Sequence, residues 1–200
     1  MPAGSSQNQT QSFLMRRFAE AGIRPHTRFG QNFLIDMNLQ RLLFEAAELG
    51  PDDVVLEVGT GTGSLTVLAA ARAAAVVTVE IDRQLFQLAG EELLGADNVT
   101  MLQCDALKNK NRLSPELLET LDRELNVAPG RRLKLLSNLP YNVATPVLSN
   151  LLALERPPEL MTATIQKELA ERIVARPGTK DYGALSIWMQ SQCRRKPSCG

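Results

Sequence analysis

Three alternating glycines close an apolar run in Val54-Val55-Leu56-Glu57-Val58-Gly59-Thr60-Gly61-Thr62-Gly63, and a helical pattern resumes at Ser64. Such a stretch reads as a buried strand feeding a ligand loop. A tight strand-to-helix turn needs backbone angles that glycine adopts most readily, and a ligand approaches backbone closely only where no Cβ intrudes. Amides at the start of the next helix would suit a pyrophosphate, but that fingerprint is Gly-x-Gly-x-x-Gly. Here the third glycine comes one residue early, Ser64 stands where it is required, and an acid, Glu57, sits two residues before the first glycine. Glu80, twenty-one residues after Gly59, ends a second apolar run, where a carboxylate can accept both hydroxyls of a ribose. Asp105 ends a third run and can accept from an adenine amino group. The fourth run ends in Asn138-Leu139-Pro140-Tyr141-Asn142. There the Asn138 side-chain oxygen and the neighbouring backbone carbonyl, aimed by Pro140, can accept both hydrogens of an exocyclic amine and free its lone pair for attack. Tyr141 can stack on a flat base turned out of its helix. Each feature also has a plain structural reading: a βα turn, a charge at a helix N-terminus, a loop cap, and a proline turn with a half-buried tyrosine.

Positioning these residues requires strand ends gathered along one edge of a sheet. Ala75 to Glu80, Val99 to Asp105, Leu133 to Asn138 and Met161 to Gln166 are further strand candidates, with Leu185 to Met189 a possible sixth. Helical stripes alternate with them. Asp36 can cap one carrying Leu39, Leu42, Leu43, Ala46 and Ala47; others follow Ser64, run from Asp82 to Leu94, start at Thr145 beside Pro146, and span Lys167 to Ala175. Near-continuous apolar strands alternating with helices predict an α/β, doubly wound, Rossmann-like parallel sheet covered on both faces, with ligands beyond the strands' carboxyl ends. Lys108 to Arg132 reads as an inserted helix on the rim, capped at Ser114-Pro115 and striped by Leu117, Leu118, Leu121 and Leu125. Upstream, residues 1–11 are too polar to pack, Ser12 to Ala21 suits a short helix, and Arg24 to Leu34 forms a basic loop with two exposed aromatics.

Two hundred residues suit one domain with a core large enough to need no staple. Cys104, Cys193 and Cys199 lack ligand spacing, and the single histidine, His26, lies far from them, so neither a disulfide framework nor a metal site is indicated and a reducing cytoplasm is expected. No stretch reaches the roughly 18 apolar residues of a membrane span. Net charge is zero but uneven: residues 1–35 hold four Arg and one Glu, and residues 167–200 hold seven Lys or Arg and three acids. Basic ends beside an acidic middle suit either solvated flanks or an RNA backbone meeting one face.

The acid-x-Gly-x-Gly-x-Gly turn resembles the first motif of S-adenosylmethionine-dependent methyltransferases. Together, Gly30-Gln31-Asn32-Phe33-Leu34, the Glu57 to Gly63 loop, Glu80, Asp105, Asn138 to Asn142 and Gln166-Lys-Glu-Leu-Ala-Glu-Arg-Ile173 are similar to the small-subunit ribosomal RNA adenine dimethyltransferases over roughly residues 24–190. That resemblance implies transfer of methyls from S-adenosylmethionine to two adjacent adenines near the 3′ end of small-subunit rRNA by a chain expected to be monomeric. By position it assigns Asn32, Leu34, Gly59, Gly61, Glu80, Asp105 and Asn138 to the donor, and Asn138, Leu139, Pro140 and Tyr141 to the target adenine. Related enzymes modifying large-subunit rRNA share most of these motifs. A non-catalytic RNA-binding or ribosome-assembly factor with the same fold stays open, and an NAD-dependent oxidoreductase is disfavoured by Ser64. Two departures stand out: the long 108–132 segment, and a family pattern that would continue past Gln190 into a last strand and a helical RNA-gripping domain, where residues 191–200 look atypical. The catalytic domain is therefore expected at 12–190, with Met161 to Gln166 left unpaired on one side and Trp188 partly exposed.

Overall fold

The computed structural model describes residues 37–193. Its centre is a five-stranded parallel sheet in the order β3-β2-β1-β6-β7, formed by β1 (Asp53–Val58), β2 (Ala75–Val79), β3 (Val99–Leu102), β6 (Arg132–Asn138) and β7 (Leu160–Thr164). Every residue of β1 and β2 is buried, which is why their sequences are mostly apolar without alternation, and the polar exceptions Asp53, Glu57 and Thr78 are each partnered. Alternate side chains serve opposite faces. Val54, Leu56, Val77 and Leu135 enter one core with the downstream helices, while Val55, Val76 and Leu136 enter a second with the upstream helices.

On the second face lie α1 (Met37–Ala46) and α2 (Ser64–Ala70), contributing Leu43, Leu65 and Ala69, with α3 (Arg83–Glu92) packed beside α2. Asp82 caps α3, its Oδ1 accepting from the amides of Gln84 at 2.8 Å and Leu85 at 3.1 Å. The end of α1 is tied down by a buried lysine. Lys134 Nζ lies 2.8 Å from Asp53 Oδ2 and donates to the carbonyls of Ala47 at 3.3 Å and Glu48 at 2.6 Å, so a charge that would be costly alone is fully partnered.

The segment expected as a rim insertion is instead structural. A two-stranded antiparallel hairpin, β4 (Leu107–Asn109) and β5 (Arg112–Leu113), leads into α4 (Pro115–Leu125). Leu117, Leu121 and Leu125 of α4 are 0%, 2% and 6% exposed and sit in the first core with β1 and β2. Parallel strands cannot be joined by a tight turn, and α4 is the crossover that carries the chain from β3 across to β6. Its polar residues face solvent and disguise a core helix.

Three helices complete the first face: α5 (Ala144–Leu152), α6 (Lys167–Val174) and α7 (Ala184–Gln192). The expected sixth strand at Leu185 to Met189 is therefore a helix. Burial there falls on Leu185, Ser186, Met189 and Gln190, a 3.6-residue period rather than alternation. Ser186 Oγ donates to the Arg172 carbonyl at 2.6 Å, and Gln190 Nε2 donates to the carbonyls of Ile173 at 2.8 Å and Ala175 at 2.9 Å. Thus α7 satisfies the carbonyls that α6 leaves open at its C-terminus, which a strand could not do. It also crosses the expected domain limit at 190. Among the described residues β7 pairs only with β6, leaving its outer side without a strand; Leu160–Thr164 are all half-buried and Trp188 is 38% exposed. No described helix is long and apolar enough to cross a membrane.

Candidate active site

Chain order reverses between β1 and β6: from β1 the strands step outward to β2 and β3, and α4 then returns the chain to the other side. Beyond the carboxyl ends at that switch point lies a cleft lined by Gly59, Gly61, Glu80, Asp105, Asn138 and Pro140, among others. Residues as far apart in sequence as Gln40 and Val143 close into one space.

The floor is the glycine loop. Gly59, Gly61 and Gly63 have φ of 87°, 58° and 80°, values that side chains with a Cβ rarely adopt. At Gly59 a second constraint acts, because a Cβ would meet Pro140 Cγ at 3.3 Å and Cδ at 3.4 Å. The first and fourth strand-end motifs therefore pack directly on one another. Gly59→Ala is expected to cost about 1–2 kcal/mol from the left-handed backbone alone and to push Pro140 out of register. Thermal melting beside the parent chain should show the loss; an unchanged melting temperature would mean that the loop tolerates the shift.

Glu80 follows β2 directly and is 5% exposed. Its Oε2 accepts from the Gly61 amide at 3.0 Å and its Oε1 from the Asp82 amide at 2.9 Å. A carboxylate oxygen has room for a second bond, so the orienting amides leave acceptor capacity for a diol. Burial pushes this carboxyl upward from its ordinary range, and the amides oppose the rise. Asp105 sits beyond the third strand rather than ending it, since β3 stops at Leu102. It is exposed, and its Oδ1 accepts from the Leu107 amide at 2.9 Å in a tight Asx turn.

Asn138 ends β6, half-buried, and accepts the Thr164 hydroxyl proton on Oδ1, while the Leu139 amide donates to the Thr164 carbonyl at 3.2 Å. The end of β7 thus holds the turn through the Asn138 side chain and the Leu139 amide. Leu139 itself is 1% exposed and anchors the turn in the core, so only its backbone can face a ligand. Pro140 lines the cleft and its carbonyl accepts from the Val143 amide at 3.1 Å, closing a short turn into α5. Tyr141 is 37% exposed and lies outside the cleft lining, at its mouth in sequence between Pro140 and Asn142, which both line it. Asn32 and Leu34 lie outside the described residues.

Some lining residues gave no signal in the sequence. Gln40 is a buried polar residue on the apolar side of α1, and Cys104 precedes Asp105 with a thiol pushed up by burial. Ile81, directly after the strand-end acid, also lines the cleft and is 47% exposed. Among the described residues no cluster of three His, Cys, Asp or Glu is arranged for a metal.

Glu57 is the second buried acid, 3% exposed and in the cleft wall. Burial pushes its carboxyl from 4.5 up to about 8 despite hydroxyl donors from Thr66 and Thr78, and the charge of Glu80 adds to the rise. Between those two pH values the folded chain holds a proton that the unfolded chain has released, so stability falls as pH rises through the window. Glu57→Gln keeps the shape and cannot ionise. Thermal melts from about pH 5 to about pH 9 should show a shallower decline in that variant; an identical slope would assign the dependence to another group.

A family model for ribosomal RNA adenine dimethylase matches residues 22–197. Ribosomal RNA small subunit methyltransferase A from Moorella thermoacetica is 44% identical over 172 residues, covering 86% of this chain and 58% of the relative. The protein of the same description from Pediococcus pentosaceus is 43% identical, covering 84% of this chain and 54% of its own. Among solved structures, a dimethyladenosine transferase from Plasmodium falciparum superposes with a TM-score of 0.61 at 26% identity, over 78% of this chain and 50% of that one. The 23S rRNA methyltransferase ErmE gives 0.56 at 29% identity, over 74% and 53%. The chain spans little more than half the length of the curated relatives it matches. With the family model matched along nearly the whole sequence and with relatives at this level of identity, the chain belongs to the ribosomal RNA adenine dimethylase family.

Proposed function

We propose that this chain carries the catalytic site of an S-adenosylmethionine-dependent adenine N6,N6-dimethyltransferase acting on small-subunit ribosomal RNA. The observation that carries the reading is the convergence of Gly59, Gly61, Glu80, Asp105, Asn138 and Pro140 on one cleft at the sheet's switch point. The residues present fit such a donor. The glycine loop lines the cleft with backbone that can meet the amino-acid portion closely, Glu80 has acceptor capacity for both ribose hydroxyls, and Asp105 can accept from an adenine amine. When bound, the donor supplies a methyl already activated on a positively charged sulfur.

What the chain must add is an available lone pair on the target nitrogen. Asn138 Oδ1 and the Leu139 carbonyl accept the amine hydrogens, drawing the lone pair out of conjugation with the ring and stabilising the positive charge that grows on nitrogen during transfer. Thr164 holds Asn138 in place for this, and Pro140 fixes the carbonyl's direction. Tyr141, exposed at the mouth, stacks on the flipped base. After transfer the amine proton leaves to water, and the remaining hydrogen allows a second round. Small-subunit RNA is favoured over large-subunit RNA because the curated relatives at 43–44% identity are described as small-subunit methyltransferases, whereas the 23S enzyme is 29% identical. We assign the catalytic unit to residues 12–192, extended from 190 because α7 runs to Gln192.

Labelled methyl transfer to small subunits lacking the modification tests this reading, with unmodified large subunits in parallel. Dimethyladenosine in the small subunit is the expected product. Label in the large subunit alone would move the substrate, binding of donor without transfer to either would favour an assembly role, and calorimetric binding of NAD in place of the methyl donor would overturn the glycine-loop reading.

A further inference from the structure

Beneath the donor loop runs a buried chain of hydroxyls with Glu57 at one end. Glu57 on β1 and Thr78 on β2 are direct partners in the parallel register. Thr78 Oγ1 donates to Glu57 Oε2 at 2.8 Å, and Thr66 Oγ1 on α2 donates to the same oxygen at 2.5 Å. The hydroxyls of Thr60 and Thr78 are 2.6 Å apart. Thr66 and Thr78 are fully buried, and Glu57 and Thr60 nearly so. A hydroxyl has one proton; where Thr78 gives its proton to Glu57 Oε2, Thr60 donates to Thr78, and the chain runs from the loop to the acid.

Thr60 is the only residue of this chain on the ligand loop, and it stands between Gly59 and Gly61, whose positive φ values give the loop little conformational preference of its own. The Val79 carbonyl takes the Gly59 amide at 2.8 Å and the Thr60 amide only at 3.3 Å, so backbone pins the loop at Gly59 and holds it weakly from Thr60 onward. Its carbonyl accepts from Gly63 at 3.0 Å, and the next amide, Gly61, donates to Glu80 at 3.0 Å. The side-chain anchor at Thr60 thus sets where Gly61 presents its amide to Glu80.

We propose that Thr78 is a positioning residue for donor binding, acting through the Thr60 hydroxyl to hold the glycine loop against the end of β2. The proposal rests on the methyl-donor reading of the cleft. Thr66 provides the contrast, because its hydroxyl shares Glu57 with that of Thr78 but serves the helix after the loop, whereas the Thr60 hydroxyl meets that of Thr78.

Calorimetric titration of S-adenosylmethionine into the full chain tests it. Thr78→Val, which keeps the shape and removes the hydroxyl, should weaken donor binding about tenfold, the factor that a net hydrogen bond of ~1.4 kcal/mol represents. Thr78→Ser should return it to within about twofold. Thr60→Val should match Thr78→Val, and the double variant should be no worse than either single one, since both break one link. Thr66→Val should leave donor affinity within about twofold. Additive losses at Thr60 and Thr78, or an equal loss at Thr66, would overturn the proposal by showing a general effect of core polarity. Affinity unchanged in Thr78→Val would do the same, whereas failure of the unaltered chain to bind the donor would strike the underlying reading instead. Thr78→Ser keeps the test alive if the valine variant does not fold.

Discussion

Asn138→Ala is expected to abolish nearly all methyl transfer while leaving a folded chain. Loss of a preorganised acceptor or donor at a reacting centre typically costs about 10²–10³ in rate, and here the amine would lose one of its two acceptors as its nitrogen gains charge. The fold should survive because Leu139, not Asn138, anchors the turn in the core, and the Leu139 amide still donates to Thr164. Thr164 loses the acceptor of its hydroxyl and can turn toward water in a half-buried setting. Single-turnover transfer to unmodified small subunits is the measurement. A variant retaining more than about a tenth of the rate would remove Asn138 from the chemistry. Tyr141 separates stacking from chemistry in the same assay: Tyr141→Ala should cost about 1–3 kcal/mol and Tyr141→Phe almost nothing, because stacking needs the ring and not the hydroxyl.

The places of Glu80 and Asn138 in the fold were legible in the sequence because the physics that marks them is local. A strand buried on two faces must be largely apolar, so Val54–Val58, Ala75–Val79 and Leu133–Leu136 announce themselves even with Glu57, Thr78 and Lys134 inside them, and the polar residues that close each run lie at the carboxyl ends of the strands. Glu80 and Asn138 fall there. Asp105 is less tightly fixed to its strand, because β3 ends three residues earlier and a loop carries the side chain to the cleft.

The misread segments share one cause: a partner distant in sequence decides them. Lys108 to Arg112 is polar enough to look like an insertion, yet the stripe that follows is the crossover helix, and only the need to bring β6 beside β1 makes it core. Leu185 to Met189 contains too few residues to distinguish a period of 2 from 3.6, and the open carbonyls at the end of α6 settle it as helix. Threonine at 60, 66 and 78 is unremarkable in loop, helix and strand; its three hydroxyls acquire meaning only when β1, β2 and α2 bring them to Glu57. Glu57 itself was visible as an acid before the glycines, but its burial and its raised protonation range come from the packed sheet.

At the donor's ribose end, Glu80→Ala is expected to weaken S-adenosylmethionine binding by roughly 1.5–3 kcal/mol, since two hydroxyls lose a charged acceptor in a site that excludes water. Alanine also releases the Gly61 and Asp82 amides that the carboxylate now holds, so the loss includes some loosening of the loop. Glu80→Gln isolates the charge. An amide group has one accepting oxygen where the carboxylate has two, so it cannot satisfy both backbone donors at once, and one end of the side chain must swing away. Its affinity should fall between those of wild type and Glu80→Ala. Acidity gives a third handle. Burial raises the Glu80 carboxyl above its ordinary range, so protonation begins at a pH where an exposed glutamate would still be ionised. The acceptor function is then present above that raised range and lost as pH falls through it; donor affinity should drop on acidification in wild type, and Glu80→Gln should lack that component of the drop. Calorimetry across mildly acidic to neutral pH measures all three chains under identical salt, and equal affinities for wild type and Glu80→Ala in a folded variant would show that the ribose is held elsewhere.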